Sequence, residues 1–127
     1  MKFAKIVFSA AGLWGFVILL PQYFLEAKTS ADYPPAITHP EFFYGFVGVA
    51  LAFQIVFLII SRDPVRFRPM MLAGVAEKFL FAFACFALYL LGRVHPIVAG
   101  FGTLDLVLGL LFIAAFVKTG NEVKAAP

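Results

Sequence analysis

Four stretches of this sequence run for about twenty residues with almost no charge, and that spacing leaves few folds open. Residues 6–25 and 42–61 contain no charged side chain at all. Residues 69–92 are interrupted only by Glu77 and Lys78, and residues 96–117 only by Asp105. About 20 mainly apolar residues are what a helix needs to cross a hydrocarbon layer of roughly 30 Å. The apolar runs are continuous, as from Ile55 to Ile60, whereas a transmembrane barrel alternates apolar and polar residues. Hydrophobic residues are 63% of the 127 and charged residues 13%, too few polar groups to cover a soluble domain of this size or to solvate a disordered chain. Cys85 is the single cysteine, so no disulfide scaffold forms within one chain. The expected fold is all-α: one integral membrane unit, a four-helix transmembrane bundle of up-down topology, with no repeat and no second domain.

The connections carry the charge. Residues 26–40, with Pro34, Pro35 and Pro40, read as the longest loop; 61–69 form the second and a tight turn around Gly92–Pro96 the third. Lys2, Lys5, Arg62, Arg66, Arg68, Lys118 and Lys124 fall on one side and only Lys28 and Arg93 on the other. The positive-inside rule then puts both termini and the second loop in the cytoplasm, for a multi-pass protein of the inner (plasma) membrane. Tyr23, Tyr33, Tyr44 and Tyr89 fall at or beyond the outer boundary, as in an interfacial girdle. The basic residues are divided among three segments with no binding module, so nucleic acid is not an expected partner. Lys2 and Lys5 before an apolar run resemble the start of a signal peptide, but no small-x-small site follows promptly, and the first span is expected to remain uncleaved. Pro21 should end or kink that helix.

Ionisable groups at bilayer depth are costly and usually face a bundle interior. Counting 1.5 Å per residue from the cytoplasmic charges puts Gln54 at ~12 Å, Glu77 and Trp14 at ~13 Å, Lys78 at ~15 Å and Asp105 at ~20 Å. Each span thus contributes a polar group to a common layer. At that depth Trp14 should be buried with a partner for its indole N–H. Glu77 and Lys78 point about 100° apart and should not face one partner. The face of Glu77 also carries Ala73, Gly74, Phe81, Ala84 and Leu88, whose small members suggest a close helix contact, so Glu77 is read as facing inward. Lys78 either reaches Asp105 or snorkels toward the interface. Two carboxylates and one ammonium leave one negative charge over, so one carboxyl is expected to hold a proton or attract a cation. A satisfied structural lock is the plainer reading of the same residues.

Other residues carry weaker signals. His39 and His95, with Glu41 beside the first, could ligate a metal or haem, but their spacing matches no ligand pattern, and no metal or cofactor is expected. Arg62, Arg66 and Arg68 read as positive-inside anchors, or as a site for anionic lipid or phosphate. Asp63-Pro64 has the form of an N-cap followed by proline. Small-residue patches at Gly12 and Gly15, Gly45 and Gly48, and Gly100 and Gly102 suggest helix packing. No nucleotide-binding, zinc-hydrolase or dithiol motif occurs, and a lone cysteine cannot run a dithiol cycle by itself.

Arg62-Asp63-Pro64 through Arg68-Pro69, Glu77-Lys78, and Asp105-Leu106-Val107-Leu108-Gly109, set on four short spans, resemble the DoxX-like group of small bacterial membrane proteins. That resemblance implies a four-helix membrane protein, associated in some relatives with membrane redox systems, and carries over no catalytic residue. The small multidrug transporters are similar in size, but their pattern needs a carboxylate in the first span, where this chain has Trp14 and no acid. The leading expectation is a non-enzymatic membrane protein with a polar intramembrane site at Trp14, Gln54, Glu77, Lys78 and Asp105. Its partners would be the lipid bilayer and either a second copy of itself or a larger membrane complex in which it is an accessory subunit. Two alternatives stand beside it: a small proton-coupled transporter using Glu77 and Asp105, and an enzyme acting on a lipid or quinone with Glu77 as acid or base.

Overall fold

Prolines and one glycine set where the helices begin and end. A computed structural model describes all residues from Met1 to Pro127. Helix α1 spans Lys2–Leu19 and tightens into a 3-10 turn over Leu20–Phe24, where Pro21 has no N–H to continue the α-helical ladder. Helix α3 (Pro40–Arg62) and helix α5 (Pro96–Ala125) each start with proline at a first-turn position, where the missing N–H costs nothing. His95 caps α5, its Nδ1 accepting from the Ile97 N–H at 3.1 Å. Helix α4 (Met70–Leu90) ends at Gly92, whose φ of +69° lets the Arg93 N–H reach the Leu88 carbonyl and its own N–H reach that of Tyr89. The chain is helical with no strand. Four helices, counting α1 with its 3-10 turn as one, are long and apolar enough to cross a membrane.

The longest connection is more ordered than a loop. Residues Glu26–Asp32 form helix α2, which corrects the expectation of irregular chain over 26–40. Its Lys28–Asp32 pair, at 2.6 Å, has helical i,i+4 spacing, and Asp32 raises the Lys28 pKa by hydrogen bond and charge. Glu26 accepts from the Tyr44 hydroxyl at 2.7 Å, tying α2 to the start of α3. Residues 64–69 form turns, and Asp63 Oδ1 accepts from the Arg66 N–H at 3.1 Å, so the cap-like contact forms without a helix behind it.

The long helices pack as two tight pairs, α1 with α3 and α4 with α5, and each pair also meets the other. Glycine decides how close they come. A Cβ at Gly12 would strike the Leu58 side chain, and one at Gly102 would strike Cys85 Cβ. Gly45 and Gly100 have open space around them, so those two members of the expected small-residue patches do no close packing.

The larger of two buried clusters is aromatic. Phe8, Phe57 and Phe112 are fully buried, with Phe8 stacked on Phe112 at 4.2 Å and Phe57 edge-on to Phe112 at 4.9 Å. Gly74 on α4 leaves room for both Phe57 and Phe112. Ala4, Val7, Ala11, Ile60, Met71 and Ala115 complete the cluster. It fills the end at which the Met1 amine meets the Glu122 carboxylate. Arg68 closes the same end: its Nε donates to the Phe116 carbonyl at 2.9 Å and its guanidinium lies 3.7 Å from the centre of the Phe116 ring. The Arg68→Ala substitution should therefore cost about 1.5 kcal/mol, the usual size for a hydrogen bond from a charged donor, read as a lowered Tm in detergent. Arg68→Lys should recover only part of that loss, because an ammonium lacks the planar face that lies on the ring.

Candidate functional site

Toward the other end a smaller cluster of Leu19, Val47 and Ala50 is buried, with Phe43 and Leu51 packed against it. Between the two helix pairs lies a cavity of about 200 Å³. One face of α1 lines it at Ala11, Trp14, Gly15, Ile18, Leu19 and Gln22, which is helical spacing. Helix α3 contributes Phe43, Phe46, Val47, Ala50 and Gln54 at the same period. Helix α4 adds Glu77, Lys78 and Phe81, and α5 adds Phe101, Leu104 and Asp105. All five residues of the expected polar site border this one space.

Lys78 is the centre of the polar floor. Its Nζ lies 3.3 Å from Asp105 Oδ1 and 3.5 Å from Glu77 Oε2, and 5.4 Å from the centre of the Phe57 ring below. The side chain is only 7% exposed, so it reaches Asp105 and does not snorkel. Gly109 makes this approach possible, since a Cβ there would come within 3.2 Å of Lys78 Cβ. Asp105 lies one helical turn before Gly109 and so stands over the lysine.

Two expectations about orientation are corrected. The first is that Glu77 and Lys78 would not face one partner: Lys78 lies in the buried stripe of α4 with Met71, Gly74, Ala82 and Cys85, and Glu77 turns inward beside it as expected, although Ala84 on its face is exposed. Glu77 and Lys78 share a site because the four-carbon lysine stem swings across the angle between their Cα–Cβ bonds. The carboxylates flank the cavity at 15% and 16% exposure. Trp14 is the second correction. It is 47% exposed and makes no side-chain hydrogen bond, so it borders the cavity from the outside of the bundle.

Gln54 is the most enclosed polar group bordering the cavity, 2% exposed. Its Nε2 donates to the Ala50 carbonyl at 2.8 Å, which leaves Oε1 buried with no donor. A Cβ at Gly15 would overlap the Gln54 side chain, so this glycine creates the space the amide occupies. Glu77 Oε2 has the lysine charge nearby but no hydrogen bond.

The remaining candidates lie apart from the cavity. Arg68 is held by α5, while Arg62 and Arg66 are exposed, with Arg66 over the Phe67 ring. His39 Nδ1 contacts Glu41 at 3.2 Å and His95 caps α5 against the edge of Tyr33. No three His, Cys, Asp or Glu side chains group as they would around a metal ion.

The sequence reading missed the walls. Phe81 was placed on the inward face of Glu77, but Phe43, Phe46 and Phe101 are three of seventeen phenylalanines, and nothing local distinguishes them from outward-facing ones. Gly15 was legible only as a packing residue. In comparisons with family models, curated proteins and solved structures, nothing matches the chain.

Glu77→Gln tests the charge arrangement directly. Lys78 keeps Asp105, so the pair left behind is neutral, and the substitution should lower stability by only about 1 kcal/mol. Thermal unfolding in detergent measures this; loss of the folded protein would make Glu77 a structural residue.

Proposed function

We propose that this chain is a four-span integral protein of the inner membrane, up-down in topology with both termini cytoplasmic, and that its intramembrane cavity binds a small ligand without transforming it. The observation that carries this reading is the ion-paired Glu77–Lys78–Asp105 cluster at the floor of an apolar-walled cavity. Pockets of that kind, apolar with a few converging polar groups, are the usual form of a small-molecule site. The contacts between Met1 and Glu122 and between Arg68 and Phe116 gather the basic segments at one end, in keeping with the positive-inside orientation. A binding role also suits an accessory subunit of a membrane complex, because so small a chain has limited room for a closed transport path. The exposed arginines Arg62 and Arg66 would meet anionic headgroups of the inner leaflet.

Native mass spectrometry of the protein extracted from its own membranes tests the binding role. A bound small molecule that is lost in Glu77→Gln supports it, and a co-purifying stoichiometric protein supports the accessory role. An empty, solitary chain counts against both. Reporter fusions at each terminus check the orientation, with cytoplasmic activity expected at both.

Proton-coupled transport through Glu77 and Asp105 is the second reading, favoured by two carboxylates sharing one lysine. It requires the Phe8–Phe57–Phe112 cluster to open, since that cluster fills the bundle below the cavity. Cation-dependent proton flux in proteoliposomes would support transport, and no flux with any tested cation would count against it.

A further inference from the structure

Building on that binding role, we infer that the cavity selects a protonated lipophilic amine: an ammonium head set against Glu77 and Asp105, with an apolar, ring-bearing body along the aromatic walls. Three features lead there.

The first is charge. The floor holds two carboxylates and one ammonium, and the ammonium is the more covered, 7% exposed against 15% and 16%. The lysine charge is spent between its two partners, and the space above meets a net negative surface. A carboxylate or phosphate head would meet that surface with like charge.

The second is hydrogen bonding. The two buried atoms of the floor that lack a hydrogen-bond partner, Gln54 Oε1 and Glu77 Oε2, are both acceptors. Gln54 is 2% exposed, and its amide is oriented by the Ala50 carbonyl, which must face the N–H side. The group that completes this floor is therefore an N–H or O–H donor. A ligand whose head carries only carbonyl oxygens does not.

The third is the wall. Trp14, Phe43, Phe46, Phe81 and Phe101 border the space, with Phe46 stacked on Phe81 across α3 and α4 at 5.3 Å. Aromatic faces attract cations and pack against rings, so they suit an organic ammonium better than a hydrated metal ion. An alkylamine carries its proton at neutral pH, as lysine does.

Trp14 is the only tryptophan and borders the cavity, so its emission reads occupancy. The full chain in maltoside micelles is titrated with 4-phenylbutylamine, 4-phenylbutanol and 4-phenylbutyrate, and each titration is repeated by calorimetry. The expected result is saturable binding of the amine, about tenfold weaker binding of the alcohol, and none of the carboxylate. In Glu77→Gln the amine should lose about tenfold in affinity while the alcohol changes little. Asp105→Asn, which leaves Lys78 paired with Glu77, should behave alike and guards against a folding defect in either variant. Equal binding of amine and alcohol, or tighter binding of the carboxylate, overturns the charge selection and leaves the cavity as a binding site. Saturable binding of none of the three overturns both.

Discussion

Lys78→Met should be the most damaging single substitution in this protein. It removes one cation from a cluster whose side chains are 7–16% exposed and leaves two carboxylates facing each other across a low-dielectric space. Breaking a buried ion pair by removing one partner costs about 3–5 kcal/mol, because the remaining charge has neither water nor counter-ion. The methionine fills similar space, so lost packing explains little of the effect. The expected result is a large drop in Tm in detergent and poor recovery of folded protein. The triple variant Lys78→Met, Glu77→Gln, Asp105→Asn is the control. It removes the orphaned charges together with their partner and should regain most of the stability. If Lys78→Met alone proves as stable as the parent, the lysine is not holding the floor of the cavity.

Gly15→Val is expected to have the second largest effect. The Gln54 side chain lies where a Cβ on Gly15 would be, and the overlap includes Cγ and Cδ as well as the terminal oxygen. A small shift of the amide tip cannot relieve it. The glutamine must swing away, giving up its hydrogen bond to Ala50, or α1 must move off α3. Overpacking of this kind typically costs about 1–3 kcal/mol, and a branched side chain belongs at the upper end. Gln54→Ala empties the same space, so the double variant should be more stable than Gly15→Val alone. A double-mutant cycle on Tm or on chemical unfolding measures that coupling, and simple additivity would mean the two residues do not share the space.

Both predictions rest on features the sequence shows unevenly. The register along each helix axis was legible, because every span begins and ends on charges or on Pro and Gly. Counting from those marks put Gln54, Glu77 and Lys78 at similar depth, and they do share one cavity. The rotation about each axis was not legible. In a chain that is apolar on nearly every face, the core side and the outer side of a helix look alike, and periodicity carries little direction. That is why Trp14, correctly placed along α1, proves half-exposed, and why Glu77 and Lys78, read as facing different partners, border one cavity. The glycine patches divide for the same reason. Gly12, Gly15 and Gly102 sit under neighbouring side chains, while Gly45 and Gly100 face open space.

Arg68 makes the point on the connections. As a residue type in a short basic loop it reads as one of three equivalent anchors. In the fold it reaches the Phe116 carbonyl and ring, some fifty positions away, and only Arg62 and Arg66 stay exposed. Helix α2 is the opposite case: its Lys28 and Asp32 already stood four apart, as on one helix face, and the nearby prolines drew attention from it.

Four long apolar helices, their limits and the scarcity of charge within them could be read from the residues alone, because helix length, proline and charge act locally along the chain. The packing between helices placed the Phe8, Phe57 and Phe112 cluster at one end, a cavity bordered by Leu19, Val47 and Ala50 beyond it, and one lysine at the boundary between them. Those outcomes depend on how side chains from different helices meet, through the room a glycine leaves and the reach of a lysine stem, and no single segment contains that information.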